Sequence, residues 1–143
     1  MTDKVFFDTN ILVYFADEKD PVRQSVAKKL IGRAVQTGNG MISTQCLQEL
    51  YNVLTKKLIC PPLKAAEIVR MFGEIFPPVK IELEHILKAA SISTKYTLSF
   101  WDSLIISTAS ASGCIIIYSE DMNSGQITEG TKIVNPFISE NRI

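Results

Sequence analysis

Four acidic residues stand at positions where a carboxylate can take part in catalysis or bind a cation. They are Asp8, Glu49, Asp102 and Asp121. Asp8 directly follows the apolar, strand-like run 5–7, and Asp121 comes shortly after the β-rich run 114–119. In open α/β sheets the carboxyl ends of parallel strands face the crevice where ligands bind. The two acid-tipped strands therefore predict a candidate metal site.

Each of the four acids also has a structural interpretation. Backbone donors at a helix N-terminus can hold Asp8 without any catalytic role. Glu49 lies off the leucine stripe of its helix, so on its own it is interpreted as a surface glutamate. Asp102 follows Ser99 by three residues, which fits a capping box. Asp121 lies in a segment whose composition is typical of a loop.

The doublet Glu120-Asp121 leaves the identity of the fourth acid open, because strand alternation alone does not decide which carboxylate points inward. Carboxylates that converge in a dry cleft repel one another unless protons or hard cations neutralise them. Mg²⁺ or Mn²⁺ suits such a cluster, since both prefer oxygen ligands, activate water and stabilise a leaving oxygen. Together the acids predict metal-assisted phosphodiester hydrolysis.

Other catalytic chemistries lack the residues that they need. His85 is the only histidine and cannot supply both the acid and the base of a metal-free ribonuclease, so we expect a surface or boundary residue. The sequence contains no Walker-type phosphate loop, nucleophile elbow or dinucleotide fingerprint. Cys46, Cys60 and Cys114 lack the paired spacing of zinc or redox sites, which favours small buried thiols.

The 143 residues predict one globular domain spanning residues 1–143. No apolar stretch approaches the roughly 20 residues of a membrane-spanning helix, and the first strand begins too early for a signal peptide, so we expect a soluble, cytoplasmic protein. Lys plus Arg and Asp plus Glu both number 15, so any nucleic-acid binding must use local patches. The basic residues available for such a patch are Lys28, Lys29, Arg33, Lys56, Lys57, Lys64 and Arg70.

Helices and strands alternate in the first half of the chain. Asp20-Pro21 predicts the start of a helix that ends at Gly38. Its apolar stripe would be Val22, Val26, Leu30 and Ala34. A short strand at 41–43 follows, and Ser43 or Thr44 can cap the next helix. That helix would carry Leu47, Leu50, Leu54 and Leu58 and end at Pro61-Pro62.

The second half continues the alternation. The sequence predicts a helix through 68–75 that ends at Pro77-Pro78, then a short strand at 79–81 and a helix over 82–95. A buried helix over 101–112, ended by Gly113, follows. The last predicted strands are at 114–119 and 131–134. Strands alternating with helices indicate a parallel sheet between helical layers.

Four segments of this sequence together resemble the PIN-domain family. They are Phe7-Asp8-Thr9-Asn10-Ile11-Leu12-Val13-Tyr14, Gln48-Glu49-Leu50-Tyr51-Asn52-Val53, Trp101-Asp102-Ser103-Leu104-Ile105 and Tyr118-Ser119-Glu120-Asp121-Met122. Among members of that family, the short chain is similar to the ribonuclease toxins of bacterial VapBC toxin–antitoxin pairs. The resemblance implies a three-layer α/β/α sandwich with a central parallel β-sheet.

The resemblance also implies site residues and partners. Asp8, Glu49, Asp102 and Asp121 would coordinate Mg²⁺ or Mn²⁺ and orient the attacking water toward structured RNA such as transfer RNA, with Asn10 and Ser119 in support. The family further implies a homodimer and a small antitoxin protein whose tail covers the acidic cleft. Exposed apolar residues around Ile68, Met71 and Phe72 are candidates for either protein contact.

Three other functions stay open from the sequence. A housekeeping PIN nuclease without an antitoxin would carry the same residues. A haloacid-dehalogenase-like phosphatase uses a strand-end aspartate as nucleophile and a second aspartate two positions later, but Asn10 occupies that second position. A receiver-like binding module would leave Glu49 and Asp102 unexplained.

Overall fold

A five-stranded sheet forms the centre of residues 3–138, the part of the chain that this computed structural model describes. The strands are β1 (Val5–Phe7), β2 (Gly40–Met41), β3 (Ile116–Tyr118), β4 (Ile127–Thr128) and β5 (Thr131–Val134), in the order β2-β1-β3-β5-β4. Neighbouring strands are parallel except β4 and β5. The predicted α/β/α sandwich with a central parallel sheet is confirmed, with one antiparallel strand added at an edge.

Six helices fill the connections between the strands of the described chain. α1 (Thr9–Ala16) and α2 (Pro21–Thr37) join β1 to β2, whereas α3 (Thr44–Lys56), α4 (Pro62–Ile75), α5 (Leu83–Tyr96) and α6 (Phe100–Ala111) join β2 to β3. The helices pack pairwise as α1 on α2, α3 on α4 and α5 on α6, and α1 also packs on α3. No helix in residues 3–138 is both long and apolar enough to cross a membrane.

The helix ends follow local signals, with one correction. Asp20 caps α2, and Gly38 ends that helix at a φ of 70°, which glycine adopts without strain. The pair at 61–62 was predicted to end α3, but α3 already ends at Lys56. Pro62 instead begins α4, where proline is tolerated because the first N–H of a helix has no partner within it.

The core lies between the sheet and the packed helices. The largest fully buried side chains are Phe6, Phe7, Phe72, Ile11, Leu12, Ile42, Leu50, Leu54, Ile92, Ile105, Ile106 and Ile117. Each buried side chain of this size contributes about 1.5–3 kcal/mol relative to an exposed one. Residues 103–109 of α6 are all buried, as the small and apolar composition of that helix predicts.

Two predicted apolar surfaces were wrong in detail. Val22 is 60% exposed, because the buried face of α2 begins only at Ala27. That face continues through Leu30, Ile31 and Ala34, the i, i+3, i+4, i+7 pattern. The contact surface expected around residues 68–72 is not exposed either, since Phe72 is fully buried and its neighbours pack against the core.

Two short strands differ from expectation. Segment 79–81 contributes a single parallel bridge, from Val79 to Ser43. β4 was not predicted, because two residues are too few to show alternation. The hairpin that joins β4 to β5 turns at Glu129 and Gly130, with φ values of 51° and 80°. Two successive positive φ angles are what a type I′ hairpin turn requires.

The lone histidine and two of the three cysteines lie where the sequence predicted them. His85 is half-buried near the start of α5, where its Nδ1 accepts the backbone N–H of Glu82. Cys46 and Cys114 are buried free thiols and Cys60 is partly exposed. Burial raises the pKa of the Cys46 thiol to about 12, so this thiol stays protonated and unreactive at neutral pH.

Candidate active site

Asp8 joins the end of β1 to the start of α1 at the carboxyl edge of the sheet. It is the N-cap of α1, and its Oδ1 accepts the backbone N–H of Thr9 at 2.7 Å. Its Oδ2 accepts the hydroxyl of Ser119 at 2.7 Å and the amide of Asn10 at 3.3 Å. The capping interpretation of Asp8 is therefore correct, and it does not compete with a functional one, because Oδ2 faces other polar side chains of the same edge.

The environment of Asp8 makes its charged form costly. Burial raises the pKa of the Asp8 carboxyl to about 7, although the hydrogen bonds from Ser119 and Thr9 act in the opposite direction. The nearby carboxylates of Glu49 and Asp102 raise that pKa further. No Lys or Arg forms an ion pair with Asp8 in the described chain. Asp8 thus lies in a site that favours either a proton or an external cation.

Asn10 connects two of the predicted acids. Its Nδ2 donates to Oδ2 of Asp8 at 3.3 Å and to Oδ2 of Asp121 at 3.0 Å. Its Oδ1 accepts the backbone N–H of Glu120 at 3.2 Å, which fixes the orientation of the amide. One side chain from α1 thereby holds the loop after β3 next to the end of β1.

The geometry separates the two acids of the 120–121 doublet. The carboxylate of Glu120 accepts the hydroxyl of Tyr14 at 2.5 Å and pairs with Nε of Arg23 at 2.7 Å. Burial and the bond to Glu120 raise the pKa of Tyr14 to about 12. Asp121 instead lines the same cleft as Asp8. Of the two acids, Asp121 lines the cleft and Glu120 does not.

Glu49 is not the solvated residue that its position on the helix suggested. It is half-buried, and its Oε1 accepts the hydroxyl of Thr9 at 2.5 Å. Its Oε2 accepts Nε2 of Gln45, one turn earlier on α3, at 3.4 Å. Gln45 also donates to the backbone oxygen of Trp101 at 3.2 Å. Thr9 and Gln45 were not among the predicted site residues; the only available signal was that Gln45 and Glu49 share one face of α3.

Asp102 lies in the first turn of α6 and is partly exposed. Ser99 caps this helix, because its hydroxyl oxygen accepts the backbone N–H of Asp102 at 3.1 Å. This is the Ser99 half of the predicted capping box. Burial raises the pKa of the Asp102 carboxyl, and the charge of Asp121 raises it further, while a hydrogen bond from Ser99 lowers it. The repulsion between Asp102 and Asp121 places these two carboxylates in one electrostatic environment.

All four predicted acids line one open cleft of about 540 Å³. Its lining residues are Asp8, Thr9, Asn10, Val13, Tyr14, Glu49, Asn52, Val53, Lys57, Leu58, Asp102 and Asp121. Ser119 stands behind the cleft, fully buried against Asp8. The structure therefore brings the predicted acids and Asn10 together and leaves Ser119 beneath them.

A family model of the PIN domain matches residues 5–127, which includes every acid of the cleft. The chain belongs to the PIN domain family. None of the curated proteins compared by sequence matches this PIN domain.

Solved structures share the fold of this PIN domain. VapC20 of Mycobacterium tuberculosis, described as a toxin that cleaves the sarcin-ricin loop, superposes with a TM-score of 0.67 at 17% identity, over 82% of this chain and 90% of that one. DNA-bound VapBC from Salmonella typhimurium superposes with a TM-score of 0.67 at 18% identity, over 92% of this chain and 97% of that one. VapBC2 from Rickettsia felis, bound to a promoter DNA fragment, superposes with a TM-score of 0.62 at 18% identity, over 82% of this chain and 87% of that one.

The donor set of the PIN cleft fits a hard divalent cation. All four acids offer carboxylate oxygens, which Mg²⁺ and Mn²⁺ prefer, and the buried Asp8 forms no ion pair within residues 3–138. In the arrangement seen here, no three Asp, Glu, His or Cys side chains of residues 3–138 stand close enough together to form a complete ligand group. The cleft therefore provides the ligand chemistry but not a closed coordination shell.

Proposed function

We propose that this PIN domain protein is a Mg²⁺- or Mn²⁺-dependent endoribonuclease, the toxin of a VapBC-type toxin–antitoxin pair, which hydrolyses phosphodiester bonds in structured RNA such as transfer RNA. The observation that carries the proposal is the convergence of Asp8, Glu49, Asp102 and Asp121 on one cleft at the carboxyl edge of the sheet. Membership of the PIN domain family and the similarity of fold to VapC20 support the same function.

Asp8, Glu49, Asp102 and Asp121 would hold the cation, which supplies water activation and stabilisation of the leaving oxygen when bound. The chain's own polar side chains orient these ligands. Asn10 holds Asp8 beside Asp121 through one amide nitrogen. Ser119 donates a hydrogen bond to Oδ2 of Asp8. Such bonds commonly fix the orientation of metal ligands.

The proposal includes protein partners and a location. We propose a small antitoxin protein that covers the acidic cleft; the VapBC complexes among the structural neighbours support an antitoxin partner. We also propose a homodimer and a cytoplasmic location, where structured RNA is available. Exposed apolar side chains near the start of α4, Ile59 at 75% and Leu63 at 84% exposure, replace residues 68–72 as candidates for protein contact.

The direct test is cleavage of total cellular RNA by the purified protein in Mg²⁺, Mn²⁺ or EDTA. We expect discrete cleavage products with either metal and none in EDTA. The Asp8→Asn variant, purified in parallel, should give no products, because it removes a ligand charge with little change of shape. Equal cleavage by the variant would identify a contaminating nuclease.

A negative result needs one further control. Co-purified antitoxin would block the cleft, so the preparation is examined by mass spectrometry for a second small protein before the assay is scored. Absence of cleavage by antitoxin-free protein under all metal conditions would overturn the proposed activity. Cleavage without any antitoxin gene beside the toxin gene would instead indicate a housekeeping nuclease.

A further inference from the structure

The cleft extends along α3, away from the carboxylates. Glu49, Asn52, Val53 and Lys57 all line it, and they are spaced by three, four and eight residues from Glu49. This spacing places them on one stripe of the helix. With a rise of 1.5 Å per residue, Lys57 lies about 12 Å from Glu49 along the helix axis. The cleft therefore has an acidic end and an end marked by Lys57.

Lys57 is the sole basic side chain that lines this cleft in the described chain. The ion pairs found in residues 3–138 involve Arg23 and Lys88, so the ammonium of Lys57 has no carboxylate partner there. Its backbone is fixed, because Lys57 is the C-cap of α3 and its N–H donates to the oxygen of Val53 at 2.9 Å. Lys57 thus projects from a fixed backbone position at the wall of a cleft that otherwise carries only acidic charges.

RNA faces an electrostatic problem at such a site. Four carboxylates repel a polyanionic strand, and only the phosphate next to a bound cation is compensated. A neighbouring phosphate needs a cation of its own, and a lysine ammonium serves as a point charge for phosphate. Between the two ends, Val13, Val53 and Leu58 provide an apolar wall against which a ribose or a base can pack.

We propose that Lys57 is a substrate-binding residue that contacts a backbone phosphate flanking the scissile phosphodiester, in a single-stranded segment of the structured RNA substrate. The inference rests on the proposed nuclease function for the position of the scissile phosphate. The contact with Lys57 defines the path of the bound RNA, which runs along α3 from the carboxylates toward the C-terminal end of that helix. Phosphate contacts carry no base information, so Lys57 contributes affinity and register rather than sequence preference.

The neighbouring lysine provides a matched control. A lysine near a helix C-terminus interacts favourably with the helix dipole whether or not it binds a ligand. Lys56 is the last residue of α3 and is exposed, but it does not line the cleft. Lys56→Met and Lys57→Met therefore make the same change of charge and of dipole interaction, and differ in access to the cleft.

Binding is measured in the Asp8→Asn background, so that cleavage does not interfere. A short fluorescein-labelled single-stranded RNA of mixed sequence is titrated with the parent, Lys56→Met and Lys57→Met proteins at several salt concentrations in Mg²⁺. We expect Lys57→Met to weaken binding about tenfold and to reduce the slope of log K against log salt by about 0.7, the contribution of one phosphate on a single strand. Lys56→Met should match the parent, and Lys57→Arg should restore most of the affinity.

Kinetics with intact Asp8 give the second readout. Lys57→Met should raise KM with little change in kcat, because the contact binds substrate and transition state alike. Equal affinity and salt slope for the two Met variants would overturn the proposal even if the wild-type protein cleaves RNA. A Lys57-dependent salt slope without any wild-type cleavage would retain the phosphate subsite and reject the nuclease, so the two failures are distinct.

Discussion

The hydroxyl of Thr9 donates a 2.5 Å hydrogen bond to Oε1 of Glu49 and so joins the first turn of α1 to the middle of α3. These residues are 40 positions apart in sequence, and α1 packs against α3 along this contact. The bond fixes Oε1 of Glu49, a predicted metal ligand, so the rotamer of Glu49 depends on Thr9.

Thr9→Val removes this hydroxyl and keeps the shape of the side chain. We expect the Mg²⁺ concentration for half-maximal RNA cleavage to rise about tenfold, the usual scale for loss of a group that orients a metal ligand. Thr9→Ser keeps the hydroxyl and should behave like the wild-type protein. The measurement is a Mg²⁺ titration of cleavage rate for the three proteins. An unchanged titration for Thr9→Val would remove Thr9 from the support of the site.

The adjacent acids after β3 give a matched pair of substitutions. Asp121→Asn should lower kcat by at least about 100-fold, because it removes a carboxylate from the cleft. Glu120→Gln should stay within about threefold of wild type, since Glu120 pairs with Arg23 and Tyr14 and does not itself line the cleft. Single-turnover RNA cleavage compares them directly. The reverse ranking would show that Glu120 is the fourth acid.

The raised pKa of Asp8 predicts how stability changes with pH in metal-free protein. The carboxyl titrates at about 7 in the folded state against 3.8 ordinarily, so between these values the folded chain binds more protons than the unfolded chain. The free energy of unfolding should therefore fall as pH rises from about 4 to about 7, by at most about 4 kcal/mol.

Asp8→Asn removes this titration. We expect the variant to match wild type near pH 4 and to be more stable than wild type at pH 8 in EDTA. Urea unfolding at both pH values measures the difference, and Mg²⁺ added at pH 8 should stabilise the wild-type protein more than the variant. Equal pH dependence in both proteins would show that Asp8 does not carry the effect.

Strand-end logic placed Asp8 at the carboxyl edge of the sheet because it depends only on local sequence: a buried parallel strand delivers its next residue to that edge. Glu49 could not be assigned in the same way. Its burial depends on Thr9, which reaches it from another helix, and single-sequence periodicity contains no information on that packing. The 120–121 doublet was undecidable for the same reason, because Arg23 lies 97 positions away from Glu120.

The errors in the fold have a similar origin. The apolar stripe of α2 was extended too far toward the N-terminus because Val22 fits the helical spacing, although the buried face begins at Ala27. β4 is held by pairing with β5 rather than by its own composition, so it gave no local signal. Capping residues such as Asp20 were correct, since a cap is decided within a few residues of the chain.

Gly40 at the start of β2 is required by close packing. A Cβ atom there would lie 2.5 Å from Cε1 of Phe76 and 3.0 Å from Cβ of Ala34. Gly40→Ala should therefore lower the free energy of unfolding by about 1–3 kcal/mol through overpacking. Gly32→Ala is the control, because Gly32 lies within α2 with no atom near its absent side chain, and it should stabilise by about 0.5–1 kcal/mol. Urea denaturation of both variants would contradict this packing argument if they shifted in the same direction.

Gln45 connects two elements of the cleft from a buried position. Its Nε2 donates to Oε2 of Glu49 and to the backbone oxygen of Trp101, next to Asp102, while its Oε1 has no hydrogen-bond partner in the described chain. Gln45→Leu removes two long hydrogen bonds and also one unsatisfied buried oxygen. The change in the free energy of unfolding should therefore stay within about 1 kcal/mol.

Activity should respond more strongly than stability to the same substitution. Without Gln45, the second oxygen of Glu49 loses its donor and the first turn of α6 loses its link to α3, so we expect kcat to fall about tenfold. Gln45→Glu should be worse, because a second carboxylate beside Glu49 adds repulsion. RNA cleavage measured alongside thermal unfolding separates the two effects. A loss of activity that merely tracks the unfolded fraction would make Gln45 a structural residue, whereas loss in a fully folded variant would establish that it positions Glu49.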